Sequence, residues 1–239
     1  MLSARLERPD LAPPRAYALF AHCFTCTKNL RAVVAISRAL CEEGFSVMRF
    51  DFTGLGESEG DFAETNFSSN VADLVAAGRY LAAEWEAPRL LVGHSLGGAA
   101  VLHAAHALDS VTAVATLGSP SDPGHVLSHM EGSREEIQVK GEARVSLGGR
   151  PFTIKQQFLE DLAAARMHPV VRDLDRALLI LHSPLDKVVA IDNAAKLYQM
   201  ARHPKSFVSL DDADHLLMKE KDSTYAARLL AAWISRYLG

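Results

Sequence analysis

Gly93-His94-Ser95-Leu96-Gly97 spells G-x-S-x-G directly after a strand-like apolar run and directly before a helix-like one. In that context the serine occupies a tight, strained turn, and the flanking glycines leave room for backbone. The helix starting there aims unpaired N–H groups and its positive dipole end at a developing oxyanion. A serine hydroxyl is a weak nucleophile without a base, and the base needs a carboxylate to fix its tautomer. Asp186, in His182-Ser183-Pro184-Leu185-Asp186, and His215, in Asp211-Asp212-Ala213-Asp214-His215, supply these in the order serine, acid, histidine. Each falls just past a predicted strand, where loops gather at the carboxyl edge of a parallel sheet.

Other readings of the same residues stay open. Asp211 or Asp212 is an alternative acid, and Asp211, Asp212 and Asp214 with His215 are a conceivable metal cluster, although no second ligand segment accompanies them. Without a base, Ser95 would be a buried serine in a glycine-rich crossing. Ser119 ends a strand but precedes no helix N-terminus, so it ranks below Ser95. His94 is expected to pack beside the turn, with His103 and His106 on the helix behind it.

An oxyanion hole needs a second amide, expected from the loop after the first strand, His22-Cys23-Phe24-Thr25-Cys26-Thr27-Lys28-Asn29. The Phe24 N–H is the candidate, paired with the Leu96 N–H. The same loop contains a C-x-x-C, Cys23 and Cys26. We expect small residues packed in the loop, with a thiol-redox role or a metal pair as alternatives. Gly54-x-Gly56-x-x-x-Gly60 misses the dinucleotide fingerprint by one residue, and there is no Walker A sequence. No cofactor and no metal are expected.

The elements that must hold these residues follow from hydrophobic period. Apolar runs at 16–22, 45–52, 89–93, 111–118, 177–183 and 205–210 predict strands. Helical spacing predicts helices over 30–43, 71–85, 96–107 and 191–201 and at the C-terminal end, with Gly44 at a C-cap. Strands alternating with helices imply an α/β fold with a mostly parallel central sheet covered on both faces. Residues 119–176 break the rhythm with a charged stretch, a hairpin signal through Gly148-Gly149-Arg150-Pro151 and a helix around 155–166. A single domain over 1–239 with a cap or lid inserted at about 121–176 is the expectation.

Length and composition agree. The 239 residues amount to roughly 1.6 typical domains. At 49% hydrophobic and 23% charged, the composition is that of a globular protein. A net charge of −4 gives no basic face for nucleic acid. Three cysteines, Cys23, Cys26 and Cys41, cannot close a disulfide framework, which favours a reducing compartment. The charged start is not a signal peptide, and the most apolar stretch, 99–118, is interrupted by His103, His106 and Asp109, against a membrane span. A cytoplasmic location is expected, and nothing bears on oligomeric state.

With these residues in place, the chain resembles the alpha/beta-hydrolase superfamily from Tyr17 to Leu238. Asp51-Phe52-Thr53-Gly54-Leu55-Gly56-Glu57-Ser58 resembles that family's Asp-x-x-Gly-x-Gly-x-Ser loop. His22-Cys23 stands where relatives usually have His-Gly. More narrowly, residues 20–28 and 149–152 with 157–161 resemble the hydrolase halves of bacterial proteins in which an esterase-like domain precedes an OsmC-type domain. With the sequence read ending at Gly239, the expectation is either a lost partner domain or a free-standing relative. The resulting expectation is a carboxylesterase acting on a small-molecule acyl substrate through Ser95, His215 and Asp186. A peptidase, thioesterase or acyltransferase with the same residues, and a non-catalytic or thiol-redox role, are the alternatives.

Overall fold

The computed structural model describes residues 1–10, 13–147 and 149–238. Its strands run β1 (Ala4–Glu7), β2 (Ala16–Ala21), β3 (Phe45–Phe50), β4 (Leu90–His94), β5 (Ala113–Leu117), β6 (Glu142–Leu147), β7 (Arg150–Lys155), β8 (Ala177–His182) and β9 (Lys205–Ser209). Its helices are α1 (Arg31–Glu42), α2 (Phe67–Glu84), α3 (Leu96–Ala104), α4 (Glu131–Lys140), α5 (Gln156–Ala164), α6 (Met167–Arg172), α7 (Asp192–Met200) and α8 (Glu220–Ile234). A seven-stranded sheet has the order β1-β3-β2-β4-β5-β8-β9 and is parallel except for β1, which pairs antiparallel with β3.

Burial on both faces explains why the inner strands read as unbroken apolar runs rather than alternating ones. Alternation survives inside the run. Ala16, Ala18 and Phe20 of β2 pack with α1 and α8, whereas Tyr17, Leu19 and Ala21 face α2 and α3. Helix α3 is buried on nearly every side, because it lies between the sheet and the inserted segment. Helix α1 instead buries one stripe (Ala32, Val33, Ile36, Leu40) and stops at Gly44, whose φ of +92° suits a residue without Cβ. Asn66 and Ser69 close a reciprocal capping box at the start of α2.

Strands β5 and β8 are neighbours in register, Ala113 opposite Ala177, so the chain between them is an excursion that returns to the same edge. Residues 118–176 carry a 3₁₀ segment, α4, the β6–β7 hairpin, α5 and α6, all on the α2–α3 side. Ile137, Val145, Phe158 and Leu162 sink into that core, which ties the excursion to the sheet. Gly148 of the expected hairpin turn lies outside the described residues, but the strands it would join pair from Glu142–Lys155 to Leu147–Arg150.

Strand β1 was not expected from sequence. Its four residues alternate charge with Ala4 and Leu6; it is held by its ladder to β3, by Leu6 on the core and by an ion pair, Glu7 Oε1 to Arg49 Nη2 at 2.5 Å, with Arg49 buried in β3. The helix expected over 96–107 is α3 followed by a 3₁₀ turn at Ala105–Ala107.

Candidate active site

Ser95 joins β4 to α3 at φ 55° and ψ −125°, a conformation that costs a non-glycine residue on the order of 1–3 kcal/mol. The surroundings enforce it. A Cβ on Gly93 would lie 2.3 Å from the Gly97 carbonyl oxygen, and one on Gly97 would lie 2.4 Å from that of His22. The glycines of the motif therefore let the turn, α3 and the β2 exit pack backbone against backbone. The Ser95 N–H donates to Leu117 O at 2.8 Å, which fixes the turn against β5.

Beyond β8, Ser183 turns the chain so that the Asp186 carboxylate points back under the turn that follows β9. His215 Nδ1–H donates to Asp186 Oδ2 at 2.7 Å. The Val188 and Val189 amides both donate to Asp186 Oδ1 at 2.8 Å. Burial pushes the Asp186 carboxyl up. The His215 hydrogen bond and the two amides outweigh it, holding the group below the ordinary carboxylate range. This arrangement sets His215 as the Nδ1–H tautomer and leaves its Nε2 lone pair on a ring that lines a cavity of about 650 Å³ together with Ser95. Ser95 and His215 share this wall without a hydrogen bond between them. Gly118 (φ 53°) lies against the pair, where a Cβ would be 3.1 Å from Asp186 Oδ2.

Two of the aspartates of the 211–214 run are used locally. Asp211 accepts from Ser209 Oγ, and Asp214 Oδ1 accepts from the Leu216 amide at 2.9 Å. Among the described residues no group of three or more His, Cys, Asp or Glu is placed to hold a metal ion.

Two further histidines brace this pair: His94, expected to pack beside the turn, and His182, not singled out from the sequence. His94 Nε2–H donates to His215 O at 2.7 Å, with the two rings 4.9 Å apart. His182 Nε2–H donates to Val189 O at 2.8 Å, fixing the turn whose amides hold Asp186. Burial, then the neighbouring His215, lowers His94 to about 3, so it is neutral. Their place next to the motif serine and at the end of β8 was the available signal.

The 22–29 loop forms the facing wall. Phe24 and Leu96 line the cavity, and neither amide has a hydrogen-bond partner among the described residues. The loop is tied down on both sides. His22 Nδ1–H donates to Cys23 O at 2.8 Å, and buried Lys28 gives its backbone N–H and its Nζ to the two oxygens of Asp51, each at 2.6 Å. Glu57 binds Lys28 Nζ from the other side at 2.5 Å. The Asp51–Ser58 motif is thus the loop's anchor. Phe24 stacks on Phe158 of α5 at 5.1 Å, and the Arg150 guanidinium donates to Thr25 O, so the excursion contacts the loop twice. Cys23 and Cys26 are not separate packing residues as expected from sequence: they are joined in a disulfide, and Cys41 alone of the three remains free.

A seven-stranded, mostly parallel sheet with helices on both faces and a strained serine between β4 and α3 defines an α/β hydrolase. Residues 12–132 match the family described as serine aminopeptidase, S33, and the chain belongs to this family of α/β serine hydrolases. It is similar to the esterase domain of a Rhodothermus marinus protein, at 52% identity and a TM-score of 0.79 over 100% of this chain and 94% of that one. Rat mitochondrial palmitoyl-protein thioesterase ABHD10 is 26% identical over 234 residues, 91% of this chain and 74% of that protein. The uncharacterized protein YfhR of Salmonella typhi is 26% identical over 204 residues, and the chain spans 66% of its length. Est1E of Butyrivibrio proteoclasticus, solved with ferulic acid bound, shares the fold at a TM-score of 0.82 with 21% identity. Among the described residues no helix is long and apolar enough to cross a membrane.

Proposed function

We propose that this protein is a carboxylesterase-type serine hydrolase in which Ser95, His215 and Asp186 form the catalytic triad. The observation that carries the reading is the 2.7 Å hydrogen bond from His215 to Asp186, made by a ring that shares a cavity wall with the strained Ser95. His215 Nε2 takes the Ser95 proton as Oγ attacks the acyl carbonyl, and Asp186 stabilises the imidazolium that forms. The Phe24 and Leu96 amides receive the oxyanion, each donor of this kind being worth about 10²–10³ in rate. His215 then protonates the leaving alcohol, and water, activated by the same ring, releases the acid.

Buried Leu147 and Val126 on the excursion and Phe24, Leu96 and Val189 on the core give the cavity an apolar wall, which suits a small acyl substrate. A thioesterase with the same groups is the second reading, favoured by the kinship with the rat enzyme. A fluorophosphonate probe should label the wild type and not Ser95→Ala, and that variant should lose about 10⁴–10⁶ in kcat toward p-nitrophenyl esters. Turnover above a tenth of wild type would sink the assignment. Parallel assays on an alkyl ester and its thioester decide between the two readings.

A further inference from the structure

The Cys23–Cys26 disulfide encloses the residue proposed to bind the oxyanion. Cys26 N–H donates to Cys23 O at 3.1 Å, so residues 23–26 form one tight turn with Phe24 inside it. The anchors at His22 and Lys28 hold the loop outside this turn, Arg150 and Phe158 touch it at Thr25 and Phe24, and the sulfur bridge closes it covalently. Both cysteines line the same cavity as Ser95 and His215, with Cys23 buried and Cys26 half-buried. Arg150 stands on that wall, and among the described residues no carboxylate does. An anionic thiolate is therefore not repelled on entry, and a thiolate formed at the pair has a guanidinium near it. Nothing in the acyl-transfer steps uses the sulfurs.

We infer that Cys23 and Cys26 are a thiol–disulfide exchange site for a low-molecular-weight thiol entering through the substrate cavity, and that its oxidised form presets the Phe24 amide. The consequence for catalysis rests on the esterase reading above. The thiolate attacks the more accessible Cys26 sulfur, the Cys23–Cys26 bond breaks, and its electron pair leaves on Cys23. A second thiolate attacks the small-molecule sulfur of the mixed disulfide and expels Cys26 as thiolate. Two small thiols become one small disulfide, and the protein gains two electrons and two protons as a dithiol. With the bridge open, the turn around Phe24 keeps its backbone hydrogen bond, the Arg150 contact to Thr25 O and the Phe24–Phe158 stack, but the donor position loses its covalent restraint.

The test uses native protein equilibrated with oxidised glutathione or with reduced glutathione, then alkylated after denaturation and weighed. One alkylated cysteine, Cys41, is expected in the first case and three in the second. Ester hydrolysis in the reduced state should have a kcat lower by at least about tenfold and at most 10²–10³-fold, the loss of one oxyanion donor, with KM little changed and activity restored by reoxidation. Cys23→Ser/Cys26→Ser should match the reduced wild type in both buffers. Three alkylated cysteines after oxidised glutathione, one after reduced glutathione, or equal kcat in the two states would each overturn the inference. Fluorophosphonate labelling run alongside separates the two ideas. Absence of Ser95 labelling in both states defeats the esterase reading, whereas labelling with a redox-independent rate overturns the inference and leaves the esterase reading standing.

Discussion

Asp186 spends both oxygens, one on His215 and one on two backbone amides, so its charge is oriented before any substrate arrives. Replacing one of those oxygens by an amide nitrogen presents an N–H where an acceptor is needed and favours the wrong imidazole tautomer. Asp186→Asn is expected to lower kcat by about 10⁴, as in serine proteases, with folding intact. Asp211→Asn and Asp212→Asn should be mild, because Asp211 is occupied by Ser209 and His215 Nδ1 is already bonded to Asp186. A large loss in either of those, with Asp186→Asn mild, would move the acid. The His215–Asp186 hydrogen bond and the cavity wall that Ser95 shares with His215 were legible as placements, because strand-end position and chain order carry that information. The bracing was only partly legible: His94 was expected beside the turn, but the bond from its ring to a carbonyl 121 residues away leaves no mark in local sequence. The His182 bond to Val189 O, seven residues on, depends on how the chain turns after β8. The disulfide was missed for a different reason: compartment arguments speak to average cysteines, and this pair is closed by the geometry of one turn.

Among the elements, β1 tests how an edge strand with little apolar content is held. Glu7 is mostly buried over the Arg49 guanidinium, so Glu7→Gln leaves a buried cation without its counter-charge. Removing one partner of a buried pair costs about 3–5 kcal/mol, and we expect the lower end because Glu7 remains 13% exposed. Glu7→Gln/Arg49→Met should recover most of that loss, measured as urea midpoints. Equal stability of Glu7→Gln and wild type would mean that β1 is held by its ladder alone. The same strand marks the limit of periodicity as a guide. Inner strands such as β4 and β8 are apolar throughout and stand out in the sequence. An edge strand of four residues, held by its ladder, one apolar side chain and an ion pair, has no such signature. In the 118–176 excursion only the hairpin and α5 were readable. Helix α4 sits in a charged stretch and buries little beyond Ile137 and Met130 at its cap, so its apolar stripe is too thin to see.

At the scale of the whole molecule, the sheet's carboxyl edge collects buried neutral histidines, and this couples global stability to pH. Burial lowers His22 to about 4 and His94 to about 3, against 6.5 for an exposed ring. For a group whose folded pKa is depressed, the unfolded chain binds protons first, so the stability it contributes is present above pH 6.5 and lost as pH falls toward the folded value. At pH 5 each of these two rings should have cost about 2 kcal/mol relative to pH 8. His103 and His182, also lowered by burial, act in the same direction. The carboxylates Asp51 and Asp186, held below their usual range, lose their contribution only at pH values below an ordinary aspartate's, outside this window. Urea unfolding at pH 8, 7, 6 and 5 should therefore show a fall that steepens below 6.5, with the unfolded state taking up at least about two protons more than the folded state at pH 5. The fall should appear equally in Ser95→Ala, since it belongs to the packing of the sheet edge and not to turnover. Stability that stays flat from pH 8 to pH 5 would show that these rings carry charge in the folded protein, and the packing of His94 under His215 would need revision.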